Sequence, residues 1–191
     1  MSVREVVEIG DPVLRERARE LSPDEISSAA IQELIDDLID TKRATHGAGI
    51  AANQVGEPLR VAIVEIEEGN PRYPYKPPVP LTVMINPSLE PVGGETIEIN
   101  EGCLSIPDLR GSLARHLAVR VRYLDREGKE HEEVKRELTA GTFQHEIDHL
   151  DGTLFVDRAN PRTFSTWEQF NRHQRDEFVQ RVARLSQELE S

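Results

Sequence analysis

Residues 138–152, LTAGTFQHEIDHLDG, decide how the rest of the chain is read. Phe143, Ile147, Leu150 and Leu154 fall at helical spacing and Gly152 supplies a stop, so the stretch predicts a helix with an apolar face turned to a core. His145 and His149 lie one turn apart on a neighbouring face, where two imidazoles can meet one ion. Glu146, beside the first histidine, can reach a water in the same place and take its proton. Two histidines do not complete a metal site, so a further ligand must come from elsewhere in the chain.

Working outward from that helix, the segments 59–67, 81–87, 95–100, 116–125 and 130–138 are β-branched or alternating and read as strands. REGKE reads as the turn of a hairpin joining the last two. Their connections are too short for helical crossovers, so the strands are mainly antiparallel. Upstream, residues 22–47 predict one helix. Ser22 is its N-cap, Pro23 its first residue and Glu25 its capping-box acid, with Ile31, Leu34, Ile35, Leu38 and Ile39 on one face. Residues 10–20 read as an extended arm. Residues 68–80, EGNPRYPYKPPVP, hold five prolines and read as a surface loop. Residues 163–189 predict a final helix with Trp167, Phe170, Phe178, Val182 and Leu185 as its apolar stripe. The fold class is therefore α+β: antiparallel sheets around a central metal-binding helix, with N-terminal and C-terminal helices. Residues 1–191 form one domain, with a distinct helical tail from about 160.

The 191-residue chain carries a formal net charge of -12, which argues against broad non-specific binding to nucleic acid or an anionic membrane. No apolar run approaches the roughly 20 residues needed to cross a bilayer. The N-terminus carries acids and lacks an apolar signal core, so the expected compartment is the cytoplasm. Cys103 is the single cysteine, so no disulfide forms within the chain. In EGCLS it is either a small buried hydrophobe or a thiolate ligand. As a ligand it would join His145 and His149 in a three-residue set that leaves a position open for water, as catalytic sites do. The stretch GAGIAANQVG, 47–56, reads two ways as well. It is a glycine turn between helix and strand, or a place of close approach where the Gln54 amide donates to a developing oxyanion.

Taken together, GAGIAANQ at 47–54, EGCLS at 101–105 and HEIDHLDG at 145–152 resemble the three motifs of peptide deformylases, GxGxAAxQ, EGCLS and HExDHLxG, at every fixed position and in the same order. The likeness runs from the first helix to about Arg158. It implies an enzyme that removes the N-formyl group from the formylmethionine of newly synthesised proteins, releasing formate. It implies Cys103, His145 and His149 as ligands of one divalent metal ion, foremost Fe(2+), with Zn(2+) or Ni(2+) also found in the family. Glu146 is then the acid/base, and Gln54 and the Leu104 backbone N–H stabilise the oxyanion. Gly49 and Ile50 hold the peptide backbone like an added strand, and Arg110 lies near it. Ala48, Leu138 and Thr142 are expected to line the methionine pocket, with the small Gly141 beside them. Nascent formylmethionyl peptides are the implied partners, with transient ribosome contact.

Some expectations stand beside the resemblance. Asp148 points away from the ligand face and needs a cationic partner, for which Arg115 is the candidate. Arginines 172, 175, 181 and 184 of the tail alternate with Glu168, Asp176, Glu177 and Glu188, the pattern of a solvated helix face. Trp167 and Phe170 are expected in the core or at a dimer contact. A peptidase that cleaves internal bonds shares HExxH but draws its third ligand from a downstream His or Glu. A structural metal site needs a fourth protein ligand, and His46, His116, His131 and His173 lie in no ligand-like motif.

Overall fold

A computed structural model describes residues 2–190, with only the helical backbone described for 185–190. The capping box at Ser22 forms: the Glu25 N–H donates to Ser22 Oγ at 3.4 Å, and the Ser22 N–H donates to the Glu25 carboxylate at 2.8 Å. The helix it opens is brief, however. α1 spans Pro23–Ile26, and a second cap at Ser28 opens α2, Ala29–Ala44. The single helix predicted over 22–47 is therefore two. Ser27 Oγ donates back to the Asp24 carbonyl, the kind of local bond with which serine competes against helix continuation. The predicted extended arm likewise contains a 3-10 turn at Pro12–Arg15, capped by Asp11.

Five strands form one antiparallel sheet in the order β1 (Gly49–Ala51), β2 (Val61–Ile66), β3 (Val79–Pro91), β6 (Ala118–Leu124), β7 (Glu130–Arg136). β3 runs past residue 87, where the predicted strand ended. Asn86 adopts φ 50° where the register shifts, and its side chain bonds the Leu21 N–H and C=O at 2.9 and 2.8 Å. That bulge bends the strand without ending it. β6 and β7 form the predicted hairpin, with Asp125 accepting from the backbone of Glu127 and Lys129 across the turn.

The second sheet is a hairpin of β4 (Thr96–Cys103) and β5 (Ile106–His116). β5 was not legible as a strand. Its buried positions, which fall on both faces, include Arg110 and Arg115, and Gly111, where a Cβ would meet the Phe164 ring at 2.7 Å. Hydrophobic alternation is absent because this strand buries guanidinium groups.

α3, Glu137–Leu150, packs between the sheets. Phe143, Ile147 and Leu150 share a core with Val64, Met84, Val119 and Val121. On the other side of the five-stranded sheet, Leu34, Ile35 and Leu38 of α2 pack on Val61, Ile63 and Ile85. β2 is thus covered on both faces, which is why all of its residues, Val61–Ile66, are buried. The predicted tail helix is broken into α4, Trp167–His173, and α5, Arg175–Glu190. The break lets Phe170, Phe178 and Val182 all reach Ile97, Ile99 and Leu138. Leu185 and Glu188, also singled out in the sequence, lie outside the residues whose side chains are described.

One charged residue sits inside β2. Glu65 accepts from Lys42 Nζ at 2.7 Å and from Arg43 Nη2 at 2.7 Å. The bond from Arg43, aided by Lys42, holds its carboxyl down at about 2, against the usual 4.5. A carboxyl lowered on folding stabilises the fold fully above its unfolded value and loses that contribution as pH falls toward the folded one. The Tm difference between wild type and Glu65→Gln is accordingly expected to shrink between pH 4.5 and 2. Thermal melts along that range test it, and a difference independent of pH would refute the ion-pair account.

Candidate active site

Cys103 is the last residue of β4, placed by a register shift between Gly102 and Cys103. Its Sγ lies 3.2 Å from Nε2 of His149, one turn along α3 from His145. One ligand atom from each of Cys103, His145 and His149 lies within 4.8 Å of the others, so the three can hold one metal ion. One sulfur and two imidazole nitrogens suit a borderline-soft divalent metal.

A chain of charges aims the first imidazole. Nδ1 of His145 lies 2.8 Å from the Glu101 carboxylate, which leaves Nε2 for the ligand position. Glu101 accepts a fork from Arg115, Nε at 2.8 Å and Nη2 at 2.9 Å. Burial opposes ionisation of Glu101, but the Arg115 charge and its bonds, with His145, hold the carboxyl well below the usual range. Arg115 also donates to Asp148, the pairing expected from the sequence, and Arg158 donates to the other Asp148 oxygen at 2.9 Å. Asn53 Nδ2 donates to the His149 carbonyl at 2.6 Å, fixing the C-terminal end of the ligand helix.

Glu146 is buried, and one of its carboxylate oxygens, Oε2, has no hydrogen-bond partner. Burial pushes its carboxyl up to about 7. Gly49 makes room for it, since a Cβ there would stand 2.5 Å from Glu146 Oε1. Gln54 sits in the 3-10 turn Ala52–Val55. Its Oε1 accepts from the Ala51 N–H at 2.9 Å, so Nε2 points the other way, 3.1 Å from Ser105 Oγ and 3.5 Å from Cys103 Sγ.

A cavity of about 40 Å³ opens beside these groups, lined by Ala48, Gly49, Gln54, Leu104, Leu138, Thr142 and Glu146 among others. Ile50 does not line it: its side chain packs toward α2, while β1, as an edge strand, leaves one side of its backbone free of sheet pairing. Arg110 does not reach it either, contrary to expectation. Its guanidinium is buried against Asn100, Nε to Oδ1 at 2.6 Å, and stacked on Trp167 and Phe170 with centroids at 4.1 and 4.3 Å. The tail helix covers the face through which Arg110 would meet a ligand. Phe170 is core as expected, whereas Trp167 is half-buried beside Tyr73. The space at Gly141 is filled by Ile99.

The proline-rich loop is not a plain surface loop, and here the sequence reading missed residues. Asn70 Oδ1 accepts from the Arg72 and Tyr73 N–H groups and turns the chain inward. Tyr73 is buried in the main core, and both Tyr73 and Lys76 line the cavity. The aromatic residues of RYPYK were the available signal, since a solvated loop has no need of them. The part played by Glu101 within EGCLS is not legible in the sequence, because its partners Arg115 and His145 come from β5 and α3.

The profile of the polypeptide deformylase family matches residues 3–165. Peptide deformylase 2 of Nostoc sp. is 44% identical over 153 residues, 80% of this chain and 84% of that protein. Peptide deformylase 1A, chloroplastic/mitochondrial, of Arabidopsis thaliana is 42% identical over 170 residues, 85% of this chain and 63% of that protein. Among solved structures, the Met-Ala-Ser-bound class I type b peptide deformylase of Acinetobacter baumannii superposes with a TM-score of 0.79 at 40% identity, covering 83% of this chain and 99% of that one.

Proposed function

We propose how a chain that belongs to the polypeptide deformylase family carries out the reaction of that family. The enzyme is a hydrolase that removes the N-formyl group from nascent peptides, and the family depends on a metal. On our reading Cys103, His145 and His149 hold that metal, and Glu101, Arg115 and Asp148 keep His145 in the ligating orientation. When bound, the ion supplies Lewis acidity toward a water and toward the formyl carbonyl. Ferrous iron is the proposed ion, and zinc or nickel suits the same donors.

Glu146 then acts as base toward the attacking water and as acid toward the departing amine. Burial pushes its carboxyl up, which favours a group that both takes and returns a proton. The Gln54 amide and the Leu104 N–H donate to the oxyanion. The edge of β1 at Gly49 and Ile50 takes the peptide backbone as an added strand. Ala48, Leu138 and Thr142 border the seat of the first side chain. The observation that carries the reading is convergence: a buried carboxylate with an unpartnered oxygen and an amide fixed by Ala51 both flank the sulfur and two imidazoles.

A single domain is the proposed organisation, supported by the core that Phe170 and Phe178 of the tail share with Leu138. No helix among the described residues is long and apolar enough to cross a membrane. The proposed compartment is the cytoplasm, where nascent chains emerge, with ribosome contact transient. Among the described tail residues, arginines 172, 175, 181 and 184 are interleaved with Glu168, Asp176 and Glu177.

Metal analysis of anaerobically purified protein, coupled to formate release from formyl-Met-Ala-Ser, tests the proposal. Cleavage of an internal bond, or metal without formate release, would overturn it. Gln54→Ala is expected to lower kcat by roughly 10²–10³ with KM little changed. An effect confined to KM would remove Gln54 from the oxyanion role.

A further inference from the structure

Lys76 enters the cavity from the proline-rich loop. Its Nζ donates to Thr142 Oγ1 at 2.8 Å and lies 4.8 Å from the centre of the Tyr73 ring. The Thr142 hydroxyl proton is directed to the Leu138 carbonyl at 3.1 Å, which leaves its lone pairs for the ammonium group. An ammonium has three protons to donate. Among the described residues Thr142 is its only hydrogen-bond acceptor, so two donors remain for whatever shares the cavity. The group is held in place. Tyr73 is buried, the Lys76 N–H donates to the Tyr73 carbonyl at 3.0 Å, and the Tyr75 hydroxyl accepts from Arg110 at 3.3 Å. The cavity it borders is lined as well by Leu138, Thr142 and Glu146, so a side chain seated among them meets the ammonium. Burial lowers the Lys76 pKa to about 8, which leaves the charged form dominant at neutral pH.

We propose that Lys76 sets the specificity of this pocket, favouring a first side chain whose far end accepts a hydrogen bond over an isosteric hydrocarbon. The inference rests on the pocket being the seat of the first side chain. Its physical basis is desolvation. A bound side chain expels water from the ammonium, and a hydrocarbon returns nothing for the lost bonds, whereas an amide or sulfoxide oxygen replaces them. The methionine thioether, a weak acceptor, stands between the two.

The test compares formyl-Gln-Ala-Ser, formyl-Met-Ala-Ser and formyl-norleucyl-Ala-Ser on wild type, Lys76→Met and Lys76→Arg. The kcat/KM ratio of the glutamine to the norleucine substrate is expected to fall roughly tenfold or more in Lys76→Met, as for a lost hydrogen bond to a charged group, and to be retained in Lys76→Arg. The change falls on KM. Calorimetric binding of the product peptides Gln-Ala-Ser and norleucyl-Ala-Ser shifts in the same sense. If Lys76→Met melts cooperatively only at lower temperature, Lys76→Leu, which also lacks a donor, carries the same comparison at that temperature. A ratio unchanged within twofold, or an equal loss of kcat on all three substrates, overturns the proposal while leaving the deformylase reading intact. Absence of formate from every substrate with wild-type enzyme overturns that reading itself.

Discussion

Glu146→Gln lowers kcat on formyl-Met-Ala-Ser by roughly 10²–10⁴, the usual worth of a positioned acid/base, while metal content stays at the wild-type level. The separation of the two readouts follows from the geometry. Glu146 is next to His145 in sequence but is not among the groups that orient it; Glu101 does that, through Nδ1 at 2.8 Å. The glutamine side chain has nearly the same shape, so it fits the space that Gly49 leaves open against the carboxylate. What it lacks is the ability to take and return a proton. The unpartnered oxygen of Glu146 is costly to bury, and the fold retains it where a water and an amine nitrogen would be served. Turnover within tenfold of wild type, in protein with a full complement of metal, would remove Glu146 from the acid/base role.

Cys103→Ala gives the other large effect, loss of the metal itself. Removing a group that merely supports a ligand costs 10–100-fold in metal affinity, and loss of the only sulfur ligand is expected to exceed that. Formate release falls with the metal and is not restored by ferrous ion at concentrations that saturate wild type. The fold is expected to survive. Cys103 is buried in a small cluster with Leu14, Ile106, Leu154 and Phe155, where alanine removes one atom and leaves no large void. Metal analysis beside circular dichroism and a thermal melt checks both halves. A folded variant with wild-type metal content would exclude Cys103 from the ligand set.

Only the first of these predictions rests on residues whose meaning is local, since Cys103 meets the two histidines from 42 residues upstream of His145. His145, Glu146 and His149 are related by the helical repeat, and that repeat is a property of the covalent chain. The same holds for the apolar face of α2, the capping box at Ser22 and the hairpin turn before β7. Where the reading failed, the deciding contacts were distant in sequence. β5 buries Arg110 and Arg115, so it shows no alternation; its polarity is tolerated only because Asn100 and Glu101 on β4 meet those guanidinium groups. The predicted place of Arg110 beside the substrate was lost to Trp167 and Phe170, which stack on it from the tail.

The sequence by itself placed His145, Glu146 and His149 on one helix, its resemblance to a known family added Cys103 and Gln54 as candidates, and its periodicities determined the α+β class with an antiparallel sheet. Only the tertiary structure decided that Glu101 and Arg115 aim His145, that Gly49 admits the Glu146 carboxylate, and that Lys76 borders the cavity. The reason is range. Periodicity and spacing report what a residue does to its neighbours within a turn or a strand. A buried charge is stable only when partners from other segments meet it at hydrogen-bonding distance, and those meetings are made by packing.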